Sequence, residues 1–506
     1  MFWGDTMKQL AYSALLAVSL TFSQITLADE KKETTPNPYP EEKTVVTEHT
    51  TKVGGKTIKY TATTGNSFVY NDKNEVIGSI FFTAYTKKGA DPKKRPITFT
   101  YNGGPGSASV WLHMGALGPK RVVMDKEGFA LKPPFEYIDN EYSILDLTDI
   151  VFIDPVGTGY SRAHDKGTDK DFHGVWEDIS SVSEFIRLYM TRNERWSSPK
   201  FLAGESYGTT RSAGIAYHMG QNHGVYFNGI MLISSVLDFR LDDFSDRNGI
   251  LAPVTMLPSY TAAAWYHNKL KAPLSNDLES SIEQAKEFAM NDYALALLQG
   301  DNLEPRRKLA IAERVADFTG LSVDLVLEKN LRITLNDFLH NVKRKEGETI
   351  GRLDGRFTTP ELDAMNKRGY RDPSYMAIHG TYTETLMTYL SKELNYKSDL
   401  PYHILGGGVK SWNYDEFNRQ SNDISDKLTS AMLRNPDMQV YVGNGYYDFA
   451  TPFFATEYTF SHMGLPKELK DNVHMSYYES GHMMYVREHD LVKLKKDLAE
   501  FFEKSL

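Results

Sequence analysis

One serine of this chain stands in a setting suited to nucleophilic attack. Lys200-Phe201-Leu202-Ala203-Gly204-Glu205-Ser206-Tyr207-Gly208 places G-x-S-x-G directly after a β-prone run and directly before a stretch with helical spacing. That context gives the motif its meaning, because a sharp strand-to-helix turn lifts the hydroxyl clear of the sheet. Gly204 and Gly208 lack side chains that would keep strand and helix apart beside the turn. Ser161, in Gly159-Tyr160-Ser161-Arg162-Ala163, also follows a strand-like run. No helical pattern follows it at once, so Ser161 is the runner-up nucleophile.

A serine nucleophile needs a base, and the base needs an orienting acid. Of 14 histidines, His482 follows a strand-like run, adjoins Gly481 and precedes a single terminal helical stretch, whereas His474 lies inside the run and reads as a packed residue. Asp448, in Gly445-Tyr446-Tyr447-Asp448-Phe449, comes just past the run ending at Val442; Asp238, after the run ending at Ile233, is the alternative acid. An interior carboxylate at either place would fix the imidazole tautomer and stabilise imidazolium, and the order Ser, Asp, His is an established one. Asn102-Gly103-Gly104-Pro105 follows the run Ile97 to Tyr101. Such a loop can aim a main-chain N–H at a developing oxyanion, or serve only as a tight turn.

Positioning these groups takes a sheet with crossover helices. Short β-prone runs at 97–101, 150–153, 200–203, 230–233, 439–442 and 474–478 alternate with helical spacing at 174–191 and 209–219, the pattern of a mainly parallel sheet. Strand-like segments from Val45, at 56–60 and at 76–86 predict antiparallel opening strands. Between about 239 and 402 amphipathic helices are predicted at 275–298, 305–318 and 381–394 without buried strands. This organisation is an α/β-hydrolase fold: core 45–238, helical cap insertion 239–402 lying over the carboxyl ends of the strands, and core again 403–506.

Composition narrows the function classes. With 41% hydrophobic and 24% charged residues the chain is that of a folded protein, and its net charge of −9 with scattered Lys and Arg excludes a nucleic-acid partner. It has no cysteine, hence no disulfide, thiolate metal site or Cys nucleophile. Lys8, the apolar stretch Leu10 to Phe22 and the small-residue end Thr26-Leu27-Ala28 lay out a signal peptide over residues 1–28, followed by a charged, proline-bearing leader at 29–44. The apolar stretch is shorter than the roughly 20 residues of a membrane span. An exported protein, periplasmic or secreted, with no integral membrane span after cleavage, is expected.

Four segments in order, Asn102-Gly103-Gly104-Pro105-Gly106-Ser107, Phe152-Ile153-Asp154-Pro155-Val156-Gly157-Thr158-Gly159-Tyr160-Ser161, Gly204-Glu205-Ser206-Tyr207-Gly208 and Gly481-His482-Met483, resemble the serine carboxypeptidase family, here as an exported bacterial member. The resemblance implies Ser206, Asp448 and His482 as the triad, backbone N–H groups of Gly104 and Tyr207 as the oxyanion hole, and Asn102, Gly103 and Glu205 as binders of a peptide's C-terminal carboxylate. It also implies that a second acidic residue should share a proton with Glu205. The matching position is Ala116, in Met114-Gly115-Ala116-Leu117-Gly118-Pro119, which leaves burial to raise the Glu205 pKa. The function expected is a serine carboxypeptidase that acts on peptides with a free C-terminus through an acyl-enzyme, favours acidic pH, and requires no metal or cofactor. An esterase or acyltransferase on the same scaffold is the alternative, and a non-catalytic binding protein a third reading.

Overall fold

The sheet opens antiparallel. In the computed structural model, which describes residues 42–164, 166–246, 248–361, 371–415, 417 and 422–506, β1 (Thr44–Val53), β2 (Lys56–Tyr70) and β3 (Val76–Lys87) pair in sequence. β1 alternates exposed with partly buried residues, as an edge strand with one wet face does. It begins at Thr44, inside the predicted leader; residues 1–28 and the rest of the leader through residue 41 lie outside the described residues.

Parallel strands follow. β4 (Ile97–Tyr101), β5 (Asp149–Asp154), β6 (Lys200–Ser206), β7 (Gly229–Ser235), β8 (Gln439–Gly445) and β9 (Val473–Tyr478) complete the order β1-β2-β3-β5-β4-β6-β7-β8-β9, with the two-residue strand Arg162–Ala163 also on β3. Every neighbour pair from β5 to β9 is parallel, and β3 meets β5 antiparallel. The placement of β4 between β5 and β6 brings the ends of β4 and β6, and so Asn102 and Ser206, side by side.

Helices cover both faces. α1 (Val175–Arg192) precedes β6 and α2 (Tyr207–His223) follows it; α3 (Leu251–Tyr266), α4 (Leu278–Phe288), α5 (Pro305–Thr319), α6 (Pro373–Lys392) and α7 (Ser425–Arg434) lie between β7 and β8. α8 (Phe453–His462) and α9 (Glu488–Ser505) flank β9. Alternate strand residues point to opposite sides, so Val151, Leu202, Ile230 and Val440 join the core under α1, α2 and α7, while Phe152, Phe201, Met231 and Tyr441 join the core under α6 and α9. In α9 the spacing Leu491, Leu494, Leu498, Phe501 and Phe502 makes one buried stripe. Each such side chain contributes about 1.5–3 kcal/mol on burial, which outweighs the helix's charged outer face.

Two helical stretches of the predicted insertion depart from their expected spans, and a short strand pair, Glu348–Ile350 with Thr358–Pro360, lies where no buried strand was expected. The stretch predicted as helical at 275–298 is broken after α4 by a π turn, Ala289–Tyr293, before helix resumes at Ala294–Gln299. α6 begins at Pro373, eight residues before its predicted start, because Asp372 accepts from the Ser374 N–H and Pro373 occupies the first turn, where a missing N–H costs nothing. A third apolar cluster joins α3, α4 and α5 to Tyr447, Phe449 and Phe453. The aromatic residues on either side of Asp448 are thus held by the helices between β7 and β8.

Candidate active site

Ser206 ends β6 and caps α2 with φ 60° and ψ −131°. A non-glycine residue held there is strained by about 1–3 kcal/mol, and the surroundings must enforce it. They do so by close packing: a Cβ on Gly204 would lie 2.1 Å from the Gly208 carbonyl oxygen, and one on Gly103 would lie 2.4 Å from the Tyr207 nitrogen. The Gly-rich loop after β4 therefore presses against the turn, where Tyr207, first residue of α2, has an N–H with no helical partner. Gly104 is held at φ 104°. The Tyr207 side chain points away into the core.

A buried arginine locks loop and turn together. Arg211, one turn along α2, donates to the Asn102 carbonyl at 2.6 Å, grips Asp178 at 2.7 and 3.1 Å, and lies over the rings of Tyr101 and Tyr207. No motif marked it in the sequence.

His482 and Asp448 meet in the interior. His482 Nδ1 and Asp448 Oδ2 are 2.7 Å apart, Asp448 is fully buried, and its oxygens also accept from the N–H groups of Ala450 and Thr451 at 2.7 and 3.0 Å and from the Thr451 hydroxyl at 2.7 Å. Burial works against a charged imidazole, but the Asp448 carboxylate and its hydrogen bond, with Glu205 further off, outweigh it and hold the His482 pKa above its ordinary value. The loop before α6 fixes His482 from outside: its N–H donates to the Leu353 carbonyl at 2.6 Å, and the Gly481 N–H to Asp354 at 3.0 Å. Thr451, three residues after Asp448, was missed in the sequence, although an Asp with Thr three residues on is a common local turn pairing.

The alternatives are structural. The Ser161 hydroxyl is fully buried, donating to the Asp154 carbonyl at 2.5 Å and accepting from the Phe81 N–H at 2.7 Å. Asp238 pairs with Arg240, and His474 contacts Gln439.

Ser206, His482, Asn102, Gly103, Gly104 and Glu205 line one cavity of about 130 Å³, which Trp111, Arg352, Leu353, Tyr375, Ile378 and Leu405 help to close. Glu205 is buried, and burial lifts its carboxyl to about 7 against the lowering pull of His482 and of its hydrogen bonds. Asn102 donates to its Oε1 at 2.9 Å, and Tyr485 to its Oε2 at 2.6 Å. Ala116 is buried and brings no carboxyl. Instead Tyr485 and Tyr382 pack over neighbouring Gly115, where a Cβ would lie 2.4 Å from the Tyr485 ring. A phenol thus meets Glu205, and a phenol stabilises the ionised form by donating to it.

The profile described as serine carboxypeptidase matches residues 62–496. Among curated relatives, serine carboxypeptidase-like 20 of Arabidopsis thaliana is 26% identical over 184 residues, 35% of this chain and 36% of that protein. The carboxypeptidase Y homolog A of Ajellomyces capsulatus is 26% identical over 218 residues, 43% of this chain and 35% of that protein. The aligned stretch thus spans about a third of either relative's length. The crystal structure of KEX1, a prohormone-processing carboxypeptidase from Saccharomyces cerevisiae, superposes with a TM-score of 0.53 at 15% identity, covering 88% of this chain and 91% of that one.

Proposed function

This chain belongs to the serine carboxypeptidase family, and we propose that it removes the C-terminal residue of peptides through an acyl-enzyme formed on Ser206. The observation that carries this reading is the 2.7 Å contact between His482 and buried Asp448, behind a cavity that Ser206, Glu205 and Asn102 share. Ser206 Oγ attacks the carbonyl carbon of the last peptide bond while His482 Nε2 takes its proton, and Asp448 holds the imidazole with its other proton on Nδ1. The negative oxygen is held by the Gly104 and Tyr207 N–H groups. As the C–N bond breaks, His482 returns the proton to the leaving nitrogen; water, deprotonated by His482, then cleaves the ester. Residues 239–402 act as the cap that shapes the leaving-residue pocket. The apolar stretch of residues 10–22 with its small-residue end supports export; among the described residues no helix is long and apolar enough to cross a membrane.

The test labels one sample with a fluorophosphonate and, on a separate unlabelled sample, compares turnover of a blocked dipeptide acid, its amide and an aryl ester. Preferential cleavage of the acid is expected. Ester turnover without peptide cleavage would favour the esterase reading, for which Ala116 in place of a second carboxyl is the motivating observation.

In this reading Asn102, Gly103 and neutral Glu205 bind the substrate carboxylate, so pH matters with a definite sign. Below about 7 Glu205 carries a proton and can donate; above it the ionised group repels the ligand. KM for a free-acid peptide is expected to hold steady in acid and climb above neutrality, while an ester lacking a carboxylate shows no such climb. Tyr485 favours the ionised form, so Tyr485→Phe should move the climb upward by about one pH unit. Glu205→Gln should flatten it. A profile unmoved by both substitutions would remove Glu205 from carboxylate recognition.

A further inference from the structure

Arg352 brings to the cavity beside Ser206 and His482 a positive charge that no described residue pairs with. Apart from His482 it is the one basic side chain among the described residues that line the cavity. Its backbone is fixed, the N–H donating to Asp372 at 3.2 Å and the carbonyl accepting from Phe449 at 3.1 Å, and the next residue, Leu353, receives the His482 N–H. Its place relative to the triad is therefore set by hydrogen bonds to the acid-bearing loop and beside the base. Its side chain is exposed and, among the described residues, makes neither a hydrogen bond nor an ion pair. Asp242 and His482 feel its charge without coming within ion-pair distance. Other arginines nearby are engaged: Arg356 is forked onto Asp354, and Arg487 pairs with Glu127 and Asp490.

The groups expected to meet a carboxylate are, by contrast, largely committed. The Asn102 amide donates to Glu205 and accepts from the Leu112 N–H, and both Glu205 oxygens already accept. A carboxylate entering this cavity needs a donor with free capacity, and a guanidinium offers five N–H groups in a planar fork and stays charged at every relevant pH. Buried Trp111 and Ile378 give the cavity apolar walls beside such a contact.

We propose that Arg352 is a specificity-determining residue that anchors a carboxylate of the bound peptide, either the α-carboxylate of the last residue or the side-chain carboxylate of an acidic last residue. This rests on the reading that the cavity receives a peptide's C-terminal end.

Binding is measured by calorimetry on full-length Ser206→Ala, with and without Arg352→Ala or Arg352→Lys, so the result does not depend on turnover. The ligands are blocked dipeptides ending in Leu acid, Leu amide, Glu acid and Gln acid. If the α-carboxylate is the source, Arg352→Ala lowers the preference for Leu acid over Leu amide about tenfold, by weakening the acid with the amide unmoved. If the side chain is the source, the preference for Glu over Gln collapses instead. Arg352→Lys keeps part of either preference, as a point charge without the fork. The proposal is overturned if both preferences survive Arg352→Ala undiminished, or if the Ser206→Ala protein shows neither. Failure of the exopeptidase reading is seen separately, as wild-type enzyme that leaves the Leu acid uncleaved, and the binding comparison still decides the role of Arg352.

Discussion

Ser206→Ala is expected to lower kcat for a peptide acid by about 10⁵- to 10⁶-fold and to abolish labelling by a fluorophosphonate, while the protein melts at nearly the temperature of the wild type. The size follows from the roles proposed: without Oγ no acyl-enzyme forms, and what remains is whatever the oxyanion hole and binding supply to direct attack by water. The unchanged melting follows from local structure, since the Ser206 side chain makes no capping hydrogen bond and alanine tolerates the strained φ no worse than serine. Ser161→Ala should behave in the opposite way. Its hydroxyl bridges the Phe81 N–H and the Asp154 carbonyl in the interior, so losing it should cost about 1–3 kcal/mol of stability through the group left unpaired, with labelling intact. Stoichiometric labelling of Ser206→Ala would refute the assignment.

The contrast between these two serines also marks what was legible in the sequence. Both follow a strand-like run and sit beside glycine, and only the helical spacing after Ser206 separated them. The strand-turn-helix unit around Ser206 was legible because it is local and its apolar periods are written in consecutive residues. The parallel strands β4 to β8 were legible for a similar reason: buried on both faces, they read as unbroken β-prone runs. Asp448 and His482 could be placed just past such runs, but the hydrogen bond between them could not. What stayed hidden depends on residues that packing brings together from afar. Tyr485 reaches Glu205, Arg211 reaches Asn102, and Arg352 enters the cavity from a loop far along the chain, none with a motif to announce it. The Glu205 carboxyl at about 7 is likewise a product of burial, which no single segment encodes.

The segment between β7 and β8 also holds the residues around Asp448 and His482. Leu353 and Asp354 hold the main chain of His482 and Gly481, Arg352 accepts from Phe449, and Tyr447 and Phe449 pack into the apolar cluster of α3 to α5. The residues around Asp448 and His482 are both tied to this segment, and His482 is tied to the sheet as well, the Ser234 hydroxyl donating to its carbonyl at 2.6 Å. A change that shifts the segment should reach both members of the pair together.

The acid itself gives the second large effect. Asp448→Asn is expected to leave a folded protein whose kcat is lower by about 10⁴-fold, because the replacement inverts the hydrogen bond to His482. Two N–H groups, from Ala450 and Thr451, point at Oδ1, so the asparagine carbonyl oxygen belongs there and its NH₂ must take the place of Oδ2. That NH₂ then faces His482 Nδ1, where the carboxylate now accepts at 2.7 Å. An amide donor at this distance forces Nδ1 to accept and leaves the imidazole proton on Nε2, the atom that must be free to take the proton from Ser206. The Thr451 hydroxyl, which donates to Oδ2, can rotate to accept from the new amide, so packing survives and the loss is one of tautomer. The residual activity should also change its pH dependence. Asp448 opposes the effect of burial on His482; without that carboxylate the imidazole pKa falls, and since the base works only when neutral, the acid limb of kcat/KM should move to lower pH. Asp238→Asn, measured alongside, should leave both rate and profile near wild type, because its carboxylate serves Arg240. A loss of 10⁴-fold in Asp238→Asn with a minor one in Asp448→Asn would exchange their roles.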